Sequence, residues 1–307
     1  MTKLQKLPIA AAILVLLAHA PADAQQLYKN PEDAVGALAE AAKAGDIKGI
    51  EAILGPGSRD ILSSGDEVAD RSTRETFLAA YEERHQLVTD KDRTILLVGK
   101  DEWPFPIPLA RQNAQWRFDV AAARDEILFR RIGRNELGAI QVCLAYVAAQ
   151  DEYATLDPEK DAARGYAQRI VSSAGKKDGL YWPAQAGEQQ SPLGELAAAA
   201  AAEGYKVGTS PTPYHGYYYK ILKAQGPEAS GGAFDYVVRG NMIGGFALVA
   251  YPAEYGNSGV MTFLVNHQGG IFEKNLGPTT AQIASRMTTF NPDQTWTKVA
   301  TENLALK

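Results

Sequence analysis

A chain of 307 residues is long enough for about two domains, and 46% hydrophobic with 22% charged residues is a globular composition, which excludes a largely disordered chain or a coiled coil. The formal net charge of −5 argues against sequence-independent nucleic-acid binding, which depends on Lys and Arg neutralising phosphates. A single cysteine, Cys143, excludes an internal disulfide and a cysteine zinc site.

The N-terminus reads as an export signal. Lys3 and Lys6 make a positive start, residues 9–18 an apolar core, and Ala22-Asp23-Ala24 a small-residue cleavage pattern. This predicts a secretory leader (signal peptide) over residues 1–24, cut before Gln25. His19, Pro21 and Asp23 interrupt the apolar run well short of the roughly 20 residues that a span needs. No membrane span is expected after cleavage, and no cysteine near the cut offers a lipid attachment point. The mature chain is thereby assigned to the periplasm or the exterior. It stays acidic, because the leader removes Lys3, Lys6 and Asp23.

Along the mature chain, Asn30 followed by Pro31, Glu32 and Asp33 marks a helix start: a capping side chain, a proline where its missing N–H is harmless, and acids at the positive end. Gly45 stops that helix. Asp46 opens a second, stopped by Gly55-Pro56-Gly57, and a third is predicted over residues 66–87. Residues 94–98 and 115–120 read as strands. The alternate prolines in residues 103–108 confine that segment to a sheet edge, since proline gives the ladder no donor. Two helices are predicted next, over residues 121–131 and 135–153. The second carries Leu137, Ile140, Leu144 and Val147 on one stripe, with Cys143 beside it as a small buried hydrophobe.

Residues 157–190 are polar and glycine-rich and read as an ordered linker. An alanine-rich helix over residues 192–203 follows. Beyond it the apolar period drops to two, and residues 217–222, 234–239, 246–251, 260–266 and 271–274 predict the short strands of an antiparallel meander. A helix over residues 279–289 follows them, and the alanine-rich helix is the expected cover for one sheet face. The fold class is α+β: a helical and curved-sheet domain with a trailing helix over residues 25–156, the linker 157–190, and a meander domain with packing helices over residues 191–307.

No catalytic residue, metal site or cofactor motif emerges. His85, His215 and His267 are scattered, H-E-x-x-H and G-x-S-x-G are absent, and the glycines of residues 240–245 lack the Lys-Ser/Thr of a phosphate loop. No carboxylate pair is marked out for acid–base work. The unusual composition is aromatic: Tyr181 and Trp182 in one piece, and Tyr214, His215, Tyr217, Tyr218 and Tyr219 in another. Such rings join an apolar body to a polar handle, which suits an envelope protein, a peptide or a glycan as partner. Pro183 and Pro213 hold the two pieces extended, and Gly179 and Gly216 allow close backbone approach. A ligand site built from them is expected between the domains, lined by Tyr181, Trp182, Tyr214, His215 and Tyr217. If these rings serve packing instead, all five are buried.

The segments GRNELGAIQVCLAYV (residues 133–147), KKDGLYWPA (176–184), PYHGYYYKIL (213–222) and MIGGFALVAYPAEYGNSGVMTFLVNHQGGIFEKNLG (242–277) resemble the bacterial secreted family catalogued as domain of unknown function 2950. The resemblance covers nearly the whole mature chain and implies no activity or catalytic residue. Within it, the helix and strand order closing on WRFD (116–119) is similar to the nuclear-transport-factor-2-like cone. Residues 259–277 are loosely similar to the meander of type IV pilins and pseudopilins, without the long apolar helix that polymerises those proteins. The expectation is an exported cell-envelope protein acting as a non-enzymatic binding or scaffolding module. The alternative is a cofactor-independent hydrolase or isomerase with a pocket in the cone-like domain. Paired ionisable groups in such a pocket would favour the enzyme; a filled cone and an aromatic patch would favour binding.

Overall fold

The computed structural model describes residues 25–158, 165–185, 187–206, 208 and 212–301. The expected leader, residues 1–24, lies outside them. The first unit opens with α1 (Pro31–Ala44), which starts where Asn30 accepts a 2.7 Å hydrogen bond from the Asp33 amide and stops at Gly45, whose φ of 66° suits glycine. Asp46 caps α2 (Ile47–Leu54) in the same way, and α3 (Arg59–Leu62) is a single turn. Asp66 caps α4 (Glu67–Glu83) through the Ala69 amide.

These helices pack on an antiparallel sheet of β1 (His85–Asp90), β2 (Arg93–Val98), β3 (Trp103–Pro104), β4 (Leu109–Gln112) and β5 (Gln115–Phe118). The order is β1-β2-β4-β5, with β3 also pairing with β2. The inner positions Leu96, Val98, Leu109 and Phe118 are at most 1% exposed, and with Val35, Leu38, Ile50 and Ile53 they form one apolar core. The third helix therefore ends earlier than expected, and its last residues form a strand. Five of the six residues of β1 are exposed, so the strand carries no period-two signature. Only its pairing with β2 defines it.

Residues 121–153 were expected as two helices and form one, α5 (Arg124–Leu156), 33 residues and about 50 Å long. Gly133 faces open space, so its weak helix propensity is met only by solvent. Packing at both ends outweighs it. Ile127 and Leu128 join the first core, whereas Ala139, Cys143, Tyr146 and Tyr153 are buried in a second.

That second core lies under α6 (Gly194–Ala202) and the strands β6 (Tyr217–Leu222), β7 (Ala224–Gln225), β8 (Phe234–Asp235), β9 (Val237–Val238), β10 (Asn241–Met242), β11 (Ala247–Pro252), β12 (Met261–Asn266) and β13 (Ile271–Asn275), followed by α7 (Thr280–Arg286), β14 (Thr289–Phe290) and β15 (Thr297–Lys298). The main sheet runs β15-β13-β12-β11-β6, all antiparallel, with β6 at its edge. The strand expected over residues 234–239 is split at Tyr236, which is fully buried and donates its hydroxyl to Gln225 at 3.0 Å. The chain thus has the α+β architecture expected of it.

Two expectations about the second unit need correction. The alanine-rich helix α6 is not the main cover of the sheet. The sheet is covered by α5, whose Tyr146 hydroxyl donates to the Ala247 carbonyl at 3.2 Å. The stretch expected as a linker is also part of the core over much of its length. The buried Gln150 amide brackets Ala167, accepting from its N–H and donating to its C=O, both at 2.8 Å. Leu180 and Trp182 are buried beside it. The polar composition of the stretch concealed these few anchoring residues. Among the described residues no helix is long and apolar enough to cross a membrane.

Hydrogen bonds tie the two cores together. Asp66 accepts from the Tyr205 hydroxyl at 2.8 Å and the Gly216 amide at 2.9 Å. Arg131 donates to Asn257 and to the carbonyls of Asp60 and Ile61, and Asn257 donates to the Ser63 carbonyl at 2.7 Å.

Candidate functional site

Because α6 stands off the sheet, a cavity of about 460 Å³ opens beside it. Its aliphatic side is supplied by Leu193, Leu196, Ala197 and Ala200. Opposite run two extended pieces, residues 168–171 and residues 218–221 of β6. Tyr205 and Tyr214 form a further wall, with their ring centroids 4.9 Å apart and nearly perpendicular. Tyr146, Val142 and Leu248 close the side toward α5 and β11.

Of the five residues expected to form a site, Tyr181 and Tyr214 line this cavity. Trp182 and Tyr217 do not: they are packing residues. Trp182 is 4% exposed, donates its indole N–H to the Gln189 carbonyl at 3.0 Å and stacks edge-on with Tyr153. Tyr217 is fully buried, with its hydroxyl donating to the Met261 carbonyl at 3.0 Å. His215 lies outside the lining, stacked on Tyr214 at 4.1 Å, with its Nε2 2.7 Å from Glu203. The site is also not between the two cores; it belongs to the second. A Cβ on Gly179 would come within 2.7 Å of the Ser172 amide nitrogen, and Gly216 has φ of 76°.

Sequence reasoning missed Tyr205, Arg169 and Lys206, and it assigned no cavity role to Tyr218 or Tyr219. Alternation along a strand foretold only that Tyr217 and Tyr218 face opposite sides. Which residues border a cavity depends on where α6 sits, and no local pattern encodes that.

The cavity is electrostatically one-sided. Arg169 and Lys206 line it, and among the described residues no Asp, Glu, His, Ser or Cys does. Arg169 has Asp178 at 3.8 Å, and Lys206 has no ion pair among the described residues. Lys220 also borders the cavity, but its ammonium donates to the carbonyls of Ser285 and Met287 at 2.6 and 2.7 Å. Burial and the nearby Glu203 charge push the Tyr214 phenol up to about 12. Burial and the hydrogen bond to Asp66 raise Tyr205 further still. Both phenols stay neutral, and Tyr205 donates to Asp66. The hydroxyls of Tyr181, Tyr214 and Tyr218 have no hydrogen-bond partner among the described residues. Cys143 lies outside the lining, fully buried, with its thiol pushed up to about 12 by that burial. The arrangement offers hydrogen-bond donors, positive charge and aliphatic surface, and no acid–base pair stands among the described lining residues.

The model of the family described as "Protein of unknown function (DUF2950)" matches residues 25–299. The chain belongs to that family. The matched region takes in both cores and the whole cavity. No curated protein and no solved structure matches the chain. The cone-like and pilin-like likenesses therefore rest on sequence alone, and the functional reading rests on the geometry of the cavity.

Proposed function

We propose that this protein is an exported, non-enzymatic binding module of the cell envelope that holds an apolar-bodied molecule bearing a carboxylate. The observation that carries the reading is the lining: Arg169, Lys206 and free tyrosine hydroxyls across from an aliphatic helix, with no Asp, Glu, His, Ser or Cys among the described lining residues. About 460 Å³ lies within the usual range for ligand sites, roughly 300–1,000 Å³. The enzymatic alternative calls for a pocket inside the first unit. Its inner sheet face is instead filled by Leu96, Val98, Leu109 and Phe118, which favours binding.

Export is supported by two coincidences with the leader reading. The family match starts at Gln25, the residue at which the mature chain would begin. The Gln25 side-chain amide donates to the carbonyls of Ile53, Leu54 and Phe118, so the first core uses that residue. Calorimetric titration with dodecanoate, as a probe of the stated chemistry, tests the binding reading. Saturable one-site binding is expected. Absence of binding up to the solubility limit of the probe overturns it.

A further inference from the structure

The backbone of β6 carries more information than its side chains. Its register against β11 pairs Tyr217 with Pro252. Proline has no N–H, so this is a pair without mutual hydrogen bonds. The Ala253 amide donating to the Gly216 carbonyl at 2.9 Å fits that assignment. Alternation along the strand then gives the ladder bonds to Tyr218, Lys220 and Leu222, and turns the N–H and C=O groups of Tyr217, Tyr219 and Ile221 away from β11.

The two ends of this outer edge are occupied. Tyr217 exchanges backbone hydrogen bonds with Tyr214 at 2.9 and 3.1 Å, and the Lys223 amide donates to the Thr288 carbonyl at 3.2 Å. Its middle is open. The outward N–H and C=O groups of Tyr219 and Ile221 have no backbone partner among the described residues, and both residues border the cavity. Four consecutive β6 residues, 218–221, line it. A strand whose side chains alternate between faces can do this only where the cavity runs along its edge. The segment 168–171 borders the cavity in the same consecutive way. Its Arg169 and Ile170 carbonyls are bonded to the amides of Leu180 and Tyr181, while the amides of Arg169, Ile170 and Val171 have no backbone partner among the described residues.

We propose that the cavity receives an extended peptide, which adds as a strand to β6 at Tyr219 and Ile221, sets apolar side chains against α6, and directs a carboxylate to Arg169 and Lys206. This rests on the binding reading above and names its ligand class. The spacing supports a peptide, because residues two apart on an extended chain repeat the donor–acceptor pair that Tyr219 and Ile221 present. A fatty carboxylate answers the two cations but leaves four edge groups unpaired, and unpaired backbone groups shielded from water are costly. The absence of carboxylates among the described lining residues favours an occupant that carries one.

The test uses the full mature chain. The probe is a library of acetylated hexapeptides, apolar at alternate positions and ending in a free carboxylate. Two companion libraries carry backbone N-methyl groups, one on odd and one on even residues, so that each blocks one edge of the strand. Binding by the parent library is expected, with at least one methylated library weaker by about tenfold or more. Hydrogen exchange at the Tyr219 and Ile221 amides is expected to slow about tenfold or more on binding, with Tyr218 and Lys220 already slow in the free protein. An Ile221→Pro variant removes one outward N–H, a change that edge strands tolerate. It should weaken peptide capture by about tenfold or more; if it fails to fold, the methylated libraries decide. Equal binding of all three libraries overturns the proposal, as does protection of Tyr219 and Ile221 in the free protein, which would assign the edge to the chain's own residues. Dodecanoate binding without peptide binding removes the strand proposal and leaves the binding reading standing. Failure of both probes removes both.

Discussion

Replacing Asp66 with alanine tests the seam between the two cores. Asp66 is 1% exposed and accepts three hydrogen bonds: from the Ala69 amide at 3.1 Å, the Tyr205 hydroxyl at 2.8 Å and the Gly216 amide at 2.9 Å. The first is the cap of α4, and such a cap contributes about 1 kcal/mol. The other two donors would be stranded in a buried setting, at about 1–3 kcal/mol each. A total of about 3–5 kcal/mol follows, allowing for water entering the space left by the carboxylate. For a chain of this size that lowers the melting temperature by about 10 °C. Tyr205→Phe removes one donor and should cost only about 1 kcal/mol. The double variant should reveal coupling of about 1 kcal/mol or more, since the two groups share a bond. Urea unfolding followed by circular dichroism reads all three. Asp66→Ala within about 0.5 kcal/mol of wild type would refute the argument that this carboxylate joins the cores.

Three further outcomes are expected. The Cys143 thiol, fully buried and pushed up to about 12, should resist dithionitrobenzoate in the native protein and react in urea; fast native reaction would contradict its burial. Burial holds His267 below its ordinary value. Protonation then favours the unfolded chain, so its contribution is fully present above the unfolded value of about 6.5 and is lost as the pH falls through the folded one. The melting temperature of His267→Gln should therefore fall less than that of wild type below that pH, and parallel curves would contradict this. Intact-mass measurement of envelope material should give a chain starting at Gln25 that retains its side-chain amide, because cyclisation would release ammonia and remove the donor to Ile53, Leu54 and Phe118. A chain that keeps Met1 would contradict the export reading.

The parts of the fold legible in the sequence are those with local causes. Asn30 and Pro31 start α1 and Gly45 ends it because capping and a left-handed φ are properties of single residues. The apolar run at residues 246–251 marks β11 because that strand is buried on nearly its whole length. Strand β1 was invisible because its side chains are mostly exposed, so its identity lies in its partner. The continuity of α5 through Gly133 and the anchoring of Ala167 by Gln150 are tertiary effects. The aromatic pieces were visible as composition, yet the division between Tyr181 and Tyr214 at the cavity and Trp182 and Tyr217 in the core was not. That division follows from which face packs on α5 and which meets the space beside α6.

The most direct test of the central claim is nuclear magnetic resonance of tyrosine-labelled protein titrated with dodecanoate, run in parallel on wild type and Ala200→Phe. Ala200 lines the aliphatic wall, so the larger side chain occupies cavity space. The account predicts saturable shifts at Tyr181, Tyr214 and Tyr218 in wild type, with Tyr28 and Tyr81 of the first unit unmoved. It predicts loss of those shifts in a variant that still melts near the wild-type temperature. Unchanged cavity tyrosines in wild type, or equal binding by the folded Ala200→Phe variant, would contradict it.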